Sequence, residues 1–504
     1  MAVFYNVGEQ KIRPGVYQRY VNIGQINPGE AQDGICAIPV QASWGPLGQV
    51  VKNTSALQLT QTYGEGTYGA GYTVPAAAAM FEGGAQTVYT YRLGTGGTAA
   101  SKQLTCPAPQ VAEGAQAGVA GSITVTAKYP GTLPLSFAVQ NKLGYDTMKQ
   151  FLVYVGTTQV ESFDFDSNAT SGEEEVTVTT NEGDNLVATA AASNYVTVTA
   201  TATSPATGPS VVPITSTTTG TLAGGANPTV TNASYSAAFQ AFEPYYYNCI
   251  TIDVDDDANL TLSNLLQEYL DNAYKYGKLG IAVVGEKTTV AWATRLAHAA
   301  AFNDEKVVYL GGGYMAGTNS KDGVMGICYT AGVIASTPSN QGITHKVITG
   351  ATDLCESLTY SQYEDAILAG MLMVSLSPDG AVWYDSGINT LVNITDNNID
   401  DGWKKIRRVK VRFELIDRLD RVLAPKVGRV SADSDGVSDV IQSGQRVLNL
   451  MANNEGKLMP GATFTADPDL PFTADSAWFI IQADDIDSLE KIYLQYQFRY
   501  SQNV

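Results

Sequence analysis

The sequence has little of several residue types on which enzymes depend. Its 504 residues include two histidines, His298 and His345, and five widely spaced cysteines. No HExxH or paired-histidine spacing occurs, so the usual zinc sites are not predicted. No GxSxG turn occurs either, and neither histidine accompanies a recognisable nucleophile, which disfavours a hydrolase triad. We therefore expect a protein that is not an enzyme and that carries no catalytic residue, cofactor or metal.

The cysteines and the hydrophobic runs restrict the compartment. The cysteines have neither metal nor redox spacing and lie mostly in apolar surroundings, which predicts buried thiols in a reducing environment. Residues 1–25 lack the basic start and apolar core of a secretory signal. No apolar run reaches the roughly 18 residues that span a bilayer. These absences predict a soluble protein made in a cytosol, with no membrane partner.

Basic residues are scarce and unevenly placed. The chain has 30 Lys and Arg against 49 Asp and Glu, a net charge of −19, which disfavours nucleic acid as a partner. No Lys or Arg occurs from Gln150 to Tyr274, whereas ten of the 30 lie between Asp401 and Val430. An acidic chain with one basic segment favours an oriented contact.

The basic segment follows Trp403. Arg408, Lys410 and Arg412 alternate with apolar residues, which predicts a strand with three charges on one face. The residues from Leu415 to Leu423 then have helical spacing. Three interpretations remain open for these charges: a solvated face, a contact with nucleic acid, and docking onto an acidic protein surface. The candidate docking residues are Lys404, Lys405, Arg407, Arg408, Lys410 and Arg412.

Both ends of the chain are predicted to be strands. Pro14 and Gly15 exclude a helix, and the β-forming run Val16–Ile23 follows them. At the other end, Ile492–Tyr500 alternates apolar and mostly polar residues with period two. Each strand could close a sheet of its own domain or pair with another molecule. The apolar candidates are Val16, Tyr17, Tyr20, Val21, Ile23, Ile492, Leu494, Tyr496, Phe498 and Tyr500.

The middle of the chain changes its pattern once. Residues from about 96 to 240 are rich in alternating Thr and Val, as in Ser122–Thr126, Val176–Thr180 and Val196–Ala200, which predicts a β-sandwich. After Pro244, apolar strand patterns, as at Gly280–Gly285 and Lys306–Leu310, alternate with helical ones, as at Leu262–Ala273, Val324–Ala335 and Tyr360–Leu376. This alternation indicates a mainly parallel α/β sheet, and residues from about 390 indicate an α+β region.

Three segments are weak candidates for ligands. The acidic run at 253–257, Asp-Val-Asp-Asp-Asp, could hold a hard cation, but it could equally stabilise the start of the following helix. Gly285-Glu286-Lys287-Thr288 departs from the phosphate-loop register and favours a helix cap. The glycine triplet at 311–313 lacks GxGxxG and favours a tight turn.

Several motifs together resemble a known family, the contractile tail sheath proteins of bacteriophages and related particles. No single motif is specific, but their order and spacing over nearly the whole chain are. The β-rich module matches least. The motifs are IRPGVY at 12–17, FEGGAQTVYTYRL at 81–93, KYPGT at 128–132, LAGGANPTVTNASYSAAFQAFEPYYYN at 222–248 and GINTLV at 387–392.

The resemblance implies a multidomain α/β plus β fold. It includes a β-sandwich-like module, a non-catalytic α/β domain of subtilisin-like topology, and an α+β C-terminal domain with extended strand arms at both termini. The implied organisation is an N-terminal arm at 1–26, a part packing with the α/β domain at 27–95, the β-sandwich at 96–243, the α/β sheath domain at 244–390, a tube-facing domain at 391–487 and a C-terminal strand arm at 488–504.

The resemblance also implies a function. Such a subunit forms stacked hexameric rings around a tail tube, and contraction drives the tube through a bacterial envelope. Its implied partners are copies of itself, the tube protein, and baseplate and tail terminator proteins, in a virion tail assembled in the host cytoplasm. The basic segment would then face the tube. An exported surface-layer or adhesin-type structural protein is the alternative, although no export signal is visible.

Overall fold

The structure, a computed structural model, describes residues 3–4, 17–18, 32–69, 71–106, 121–145, 148–166, 182–202, 218–255, 260–394, 399–470, 473 and 475–499. The chain divides into two compact units. The larger unit comprises Asp33–Lys410 and Asp487–Val504, and the smaller unit comprises Met1–Gln32 and Val411–Ile486.

The strands of the described residues are short. In chain order they are β1 (Val3–Phe4), β2 (Tyr17–Gln18), β3 (Ile35–Val40), β4 (Val50–Asn53), β5 (Thr87–Arg92), β6 (Ser101–Cys106), β7 (Gly121–Ala127), β8 (Leu135–Asn141), β9 (Met148–Val155), β10 (Thr158–Asp166), β11 (Val196–Ala202), β12 (Thr218–Thr221), β13 (Cys249–Thr251), β14 (Ile281–Gly285), β15 (Val307–Leu310), β16 (Tyr314–Ala316), β17 (Asn319–Lys321), β18 (Asp353–Leu354), β19 (Met371–Leu372), β20 (Val374–Leu376), β21 (Val382–Tyr384), β22 (Thr463–Ala466) and β23 (Phe479–Gln482).

The helices are mostly short as well. They are α1 (Ala56–Tyr63), α2 (Val74–Glu82), α3 (Glu182–Ala190), α4 (Asn232–Phe242), α5 (Thr261–Lys275), α6 (Trp292–Phe302), α7 (Gly323–Ser336), α8 (Tyr360–Leu368), α9 (Ile406–Leu423) and α10 (Ser434–Asn449). Single 3₁₀ turns cover Asp401–Lys404 and Ala424–Lys426, and a π turn covers Leu450–Asn454.

A seven-stranded sheet organises the larger unit. Its strand order is β19-β15-β14-β13-β3-β5-β4, and every neighbouring pair is parallel except β4 and β5. The central strands β14 and β15 are buried along their whole length. Continuous apolar runs suit strands covered on both faces. The mainly parallel sheet expected from the sequence is therefore present, and residues before 95 contribute three of its strands.

Helices cover both faces of this sheet. Apolar side chains of α4, α5 and α6 pack in one core cluster with Ile250, Val284 and Tyr309 of the strands. Helix α7, which is buried over nearly all its length, packs against α2 and against β3, β13 and β14. Helix α4 belongs to this core although the predicted β module extends to residue 243, because its apolar residues recur at helical spacing.

The β module of the larger unit is a sandwich. One antiparallel sheet has the order β10-β9-β8-β12 and the other has the order β11-β7-β6. Alternate residues of β7 are buried, and their side chains join those of the other sheet and of α3 in a common core. The strands expected at 122–126 and 196–200 are confirmed, whereas the one at 176–180 lies outside the described residues.

The KYPGT motif fixes the sandwich to the loop after β3. The backbone N–H of Thr132 donates to the Ser43 carbonyl oxygen at 3.0 Å. Gly131 has a φ of +148°, and a Cβ built on it would lie 1.9 Å from that same oxygen. The close approach therefore requires glycine.

We expect Gly131→Ala to destabilise the larger unit by about 2–3 kcal/mol, because it adds a clash to a strained backbone. Gly144→Ala is the matched control, since Gly144 has a φ of +81° with no atom within 4 Å of the added Cβ. Its cost should be about 1–2 kcal/mol, from the backbone conformation alone. Chemical denaturation of both variants measures the difference, and equal costs would contradict the close-approach argument.

Two predicted elements are wrong. The helix predicted over 360–376 ends at Leu368, because Gly370 adopts a φ of +73° and the chain then enters β19 and β20. The strand predicted over Arg408–Arg412 is part of α9. Its period-two alternation is too short to exclude a helix, and the buried residues Ile406, Val409 and Phe413 follow helical spacing.

The smaller unit has its own core. Strands β22 and β23 pair antiparallel, and Phe464 of β22 packs with Val411 and Leu419 of α9 and with Val447 of α10. In the N-terminal part of this unit, β1 pairs parallel with β2. Tyr17 of the expected N-terminal strand lies in β2, whereas Val16, Tyr20, Val21 and Ile23 lie outside the described residues.

Candidate assembly site

The C-terminal segment, residues 491–499, is exposed along its whole described length. Its apolar side chains are among the most exposed of the chain: Ile492 and Leu494 at 70%, Tyr496 at 72% and Phe498 at 92%. No described residue of the segment belongs to a strand, and Tyr500 lies outside the described residues. Residues 491–499 therefore do not pair as a strand with a sheet among the described residues.

The segment keeps the side-chain arrangement of a strand. The rings of Tyr496 and Phe498 stack with centroids 6.2 Å apart and planes 11° apart. Residues two apart share a face only when the chain is extended. The rings of Tyr496 and Phe498 therefore lie on one face of the segment.

Acidic residues inside the chain pair with several cations of the basic segment. Lys404 Nζ lies 2.9 Å from Asp401, and the Arg412 guanidinium lies 3.0 Å from Asp485. Lys410 is buried, and its ammonium donates to the carbonyl oxygens of Ile334 and Thr337, the latter just beyond α7. A cation suits that end of a helix because its last carbonyls lack partners.

The remaining cations lie against neighbouring residues of the larger unit. Lys405 Nζ is 2.7 Å from Asp487 and 2.9 Å from Glu490. Burial alone would lower the pKa of Lys405, but hydrogen bonds with these two carboxylates raise it above its ordinary value. Arg407 donates to the Ser488 hydroxyl at 2.9 Å, and the Arg408 guanidinium lies against Gly402.

The sequence reasoning missed these acidic partners. The run at 484–490, Asp-Asp-Ile-Asp-Ser-Leu-Glu, was a usable signal, because it is an acidic stretch that precedes the C-terminal segment. Charge complementarity between two distant runs of opposite sign can indicate contact, although one sequence does not show which residues meet.

In the described part of the chain, the rings of the two histidines contact a carboxylate and an aromatic side chain. His298 Nδ1 lies 2.7 Å from Glu286, and the Tyr309 hydroxyl donates to the same carboxylate. Burial and the bond to Glu286 raise the pKa of Tyr309 above its ordinary value. The His345 ring stacks on Trp383, with centroids 4.0 Å apart.

The acidic run at 253–257 is engaged in hydrogen bonds where it is described. Asp253 accepts from Thr73 and Tyr235 at 2.7 Å each, and Asp255 pairs with Lys287 at 3.0 Å. Burial raises the pKa of Asp253, although its hydrogen bonds oppose the shift. Asp256 and Asp257 lie outside the described residues. The described residues contain no cluster of acidic, cysteine or histidine side chains suited to a metal.

The two candidate phosphate loops are occupied by protein groups. Lys287 binds Asp255, and the backbone N–H and hydroxyl of Thr288 both donate to Asp322. The Gly311 carbonyl accepts from the buried Arg295 guanidinium, which also forms a bidentate pair with Glu356. These contacts hold the carboxyl edge of the sheet together.

None of the described helices is both long and apolar enough to cross a membrane.

Comparisons with known proteins agree with the fold. Residues 229–390 match the model of the phage tail sheath protein central domain, a span that includes α4. YqbK of Bacillus subtilis (strain 168), described as uncharacterized, is 23% identical over 520 residues, covering 98% of this chain and 99% of its own length.

Two solved structures share this fold over nearly the full length. A sheath tail protein from Desulfitobacterium hafniense superimposes with a TM-score of 0.66 at 20% identity, covering 95% of this chain and 99% of that chain. The helical sheath of the anti-feeding prophage in its contracted state gives a TM-score of 0.53 at 10% identity, covering 97% and 99%. The resemblance to contractile tail sheath proteins predicted from the sequence is therefore confirmed, with residues 229–390 matching the central-domain model of that family.

Proposed function

We propose that this chain is the structural subunit of a contractile tail sheath, polymerising as stacked hexameric rings around a tail tube. The observation that carries the proposal is the exposed C-terminal segment, whose apolar face is uncovered in the single chain. Large exposed apolar surfaces mark interaction sites. An extended segment of this kind can add a strand to a sheet of a neighbouring subunit.

Strand exchange would explain how the lattice moves without falling apart. Assembly would store free energy in an extended lattice that is trapped behind a kinetic barrier. On release at the baseplate, subunits would move largely as rigid bodies and exchange one set of interfaces for another. The C-terminal segment and the N-terminal strand at Val16–Ile23 would remain paired with neighbours throughout. Contraction would then drive the tube through a bacterial envelope. A tail terminator would close the sheath at its far end.

The basic segment is our proposed contact with the tube. Most of its cations have acidic or carbonyl partners inside the chain, so the residues best placed to add a contact are those at its more exposed start. Lys404 is one of them, since its pair with Asp401 is exposed. Exposed pairs contribute little stability and exchange partners readily.

Electron microscopy of the purified chain, with and without the cognate tube protein, tests this proposal. We expect hollow tubes with sixfold rings, and faster assembly on tubes than without them. Reversing Lys404 and Arg408 to Glu should reduce the templated rate severalfold and leave untemplated assembly unchanged. Monomers at all concentrations would refute the sheath function, whereas an unchanged templated rate would refute only the tube contact.

A further inference from the structure

Burial of the chain ends abruptly at Glu490, just before the C-terminal segment. Residues 485–488 and Glu490 are half-buried, Leu489 is exposed, and every residue from 491 to 499 is exposed. If the C-terminal segment, which would be the exchanged arm, simply frayed from the domain, burial would decrease gradually along the chain. We call residues 487–490 the root of the arm.

Three residues of the larger unit contact the side chains of this root. Lys405 Nζ binds the Asp487 carboxylate at 2.7 Å and one oxygen of Glu490 at 2.9 Å. The other oxygen of Glu490 accepts from the Thr344 hydroxyl at 3.1 Å. Arg407, two residues after Lys405, donates to Ser488. Each polar side chain of the root is thus held by a different residue or pair.

The groups that hold the root are themselves fixed by backbone contacts. Thr344 Oγ1 accepts from the backbone N–H of Gly387 at 2.9 Å. Ile388 forms an isolated β-bridge with Lys405, and the Ile406 N–H donates to the Gly387 carbonyl. The first residues of the GINTLV motif at 387–392 therefore contact the groups that hold the root and position them.

We infer that Lys405, with Asp487 and Glu490, forms an ion-pair anchor that fixes where the exchanged arm leaves its subunit. The inference rests on the proposed strand exchange and assigns its positioning residues. Breaking the anchor would leave the hydrogen bonds from Arg407 and Thr344 to hold the root, and opening of these bonds would lengthen the arm's reach by up to roughly 13 Å. A longer tether lowers the effective concentration of the arm at its neighbour and adds entropy that pairing must remove.

The anchor can be tested on the full chain with paired spin labels. Leu489→Cys and Tyr276→Cys place labels on two exposed positions of the larger unit, in a Cys355→Ser background because Cys355 is the least buried cysteine of the described residues. We expect a narrow distance distribution, which Lys405→Met broadens at least twofold. The same variant without labels should raise the concentration required for tube formation about tenfold, by the tether argument.

Lys321→Met is the matched control, because it removes another partly buried lysine of the same unit, paired with Glu82 at 3.4 Å. Glu490→Gln provides a second route if Lys405→Met fails to fold. A narrow distance distribution in both Lys405→Met and Glu490→Gln would overturn the anchor. Broadening with unchanged tube formation would overturn its role in assembly. If the parent chain forms no tubes, the proposed function fails, and the distance distribution still judges the anchor by itself.

Discussion

Removing Lys491–Val504 should leave a folded, monodisperse subunit that no longer forms tubes. The described part of the deleted stretch, residues 491–499, is exposed throughout, so its loss removes little buried surface from the subunit itself. In an exchanged strand, by contrast, the neighbouring subunit would cover four apolar side chains, those of Ile492, Leu494, Tyr496 and Phe498. Burial of each contributes about 1.5–3 kcal/mol, so roughly 6–12 kcal/mol per contact between subunits would disappear. Even the lower figure weakens association by about four orders of magnitude.

Electron microscopy and light scattering of the truncated chain measure this effect, and circular dichroism with thermal unfolding checks the fold. We expect an unfolding midpoint within a few degrees of the parent chain, because the smaller and larger cores are untouched. Normal tubes from the truncated chain would exclude the arm from assembly. A truncated chain that is unfolded would show instead that the segment stabilises its own subunit.

Substitutions on the two faces of the segment separate a strand from an unspecific sticky tail. Replacing Ile492, Leu494, Tyr496 and Phe498 by Ser should abolish tubes as deletion does. Replacing Gln495 and Gln497, which alternate with them, by Ser should leave tubes intact. Equal effects on both faces would contradict an exchanged strand with one apolar face.

The sequence predicted best the elements that carry their own periodic signal. Strands β14 and β15 are continuous apolar runs between glycine and polar residues, and α5 and α7 show long apolar repeats. Such patterns reflect burial on one or both faces, which is local information. The parallel sheet followed from their alternation.

Elements that depend on distant parts of the chain were not predictable in this way. Strands β3 and β5 complete the sheet from residues before 95, yet the β-sandwich separates them from β13 in the sequence. The basic run Arg408–Arg412 alternated like a strand, and only the longer repeat from Ile406 to Phe413 marks it as helical. The acidic partners of Lys405 and Arg412 lie far away in the sequence, at Asp485, Asp487 and Glu490, so their pairing depends on the fold and not on local sequence.

The smaller unit should depend strongly on one buried charge network, and Arg418→Met should destabilise it by about 3–5 kcal/mol. The Arg418 side chain is 2% exposed. Its guanidinium forms a bidentate pair with Glu455, at 2.8 and 2.9 Å, and also contacts Glu414. Lys457 lies 2.7 Å from each of these carboxylates. Removing the arginine leaves the buried Glu414 carboxylate and the half-buried Glu455 carboxylate beside Lys457, whereas methionine keeps the helix propensity and most of the side-chain volume.

Lys426→Met is the control, because Lys426 pairs with Asp439 at 2.6 Å in a more exposed position. Such pairs contribute about 0–1 kcal/mol. Denaturant unfolding followed by hydrogen exchange of peptides between residues 411 and 486 reports on this unit alone. Similar losses from both variants would contradict the distinction between buried and exposed pairs.

The difference between parent and Arg418→Met should also depend on pH, with a sign set by Glu455. Burial opposes ionisation of Glu455, but hydrogen bonds from Arg418 and Lys457 prevail and lower its pKa below the ordinary value of 4.5. A carboxyl group whose pKa is lowered on folding stabilises the protein above its unfolded pKa, and this stabilisation is lost as pH falls through the folded pKa. The advantage of the parent over the variant should therefore be full at pH 7 and shrink below about pH 4. Carboxylates that do not contact Arg418 have the same surroundings in both proteins and cancel in the difference. An advantage that stays constant from pH 7 to pH 3 would show that Arg418 contributes by packing and not through its charge.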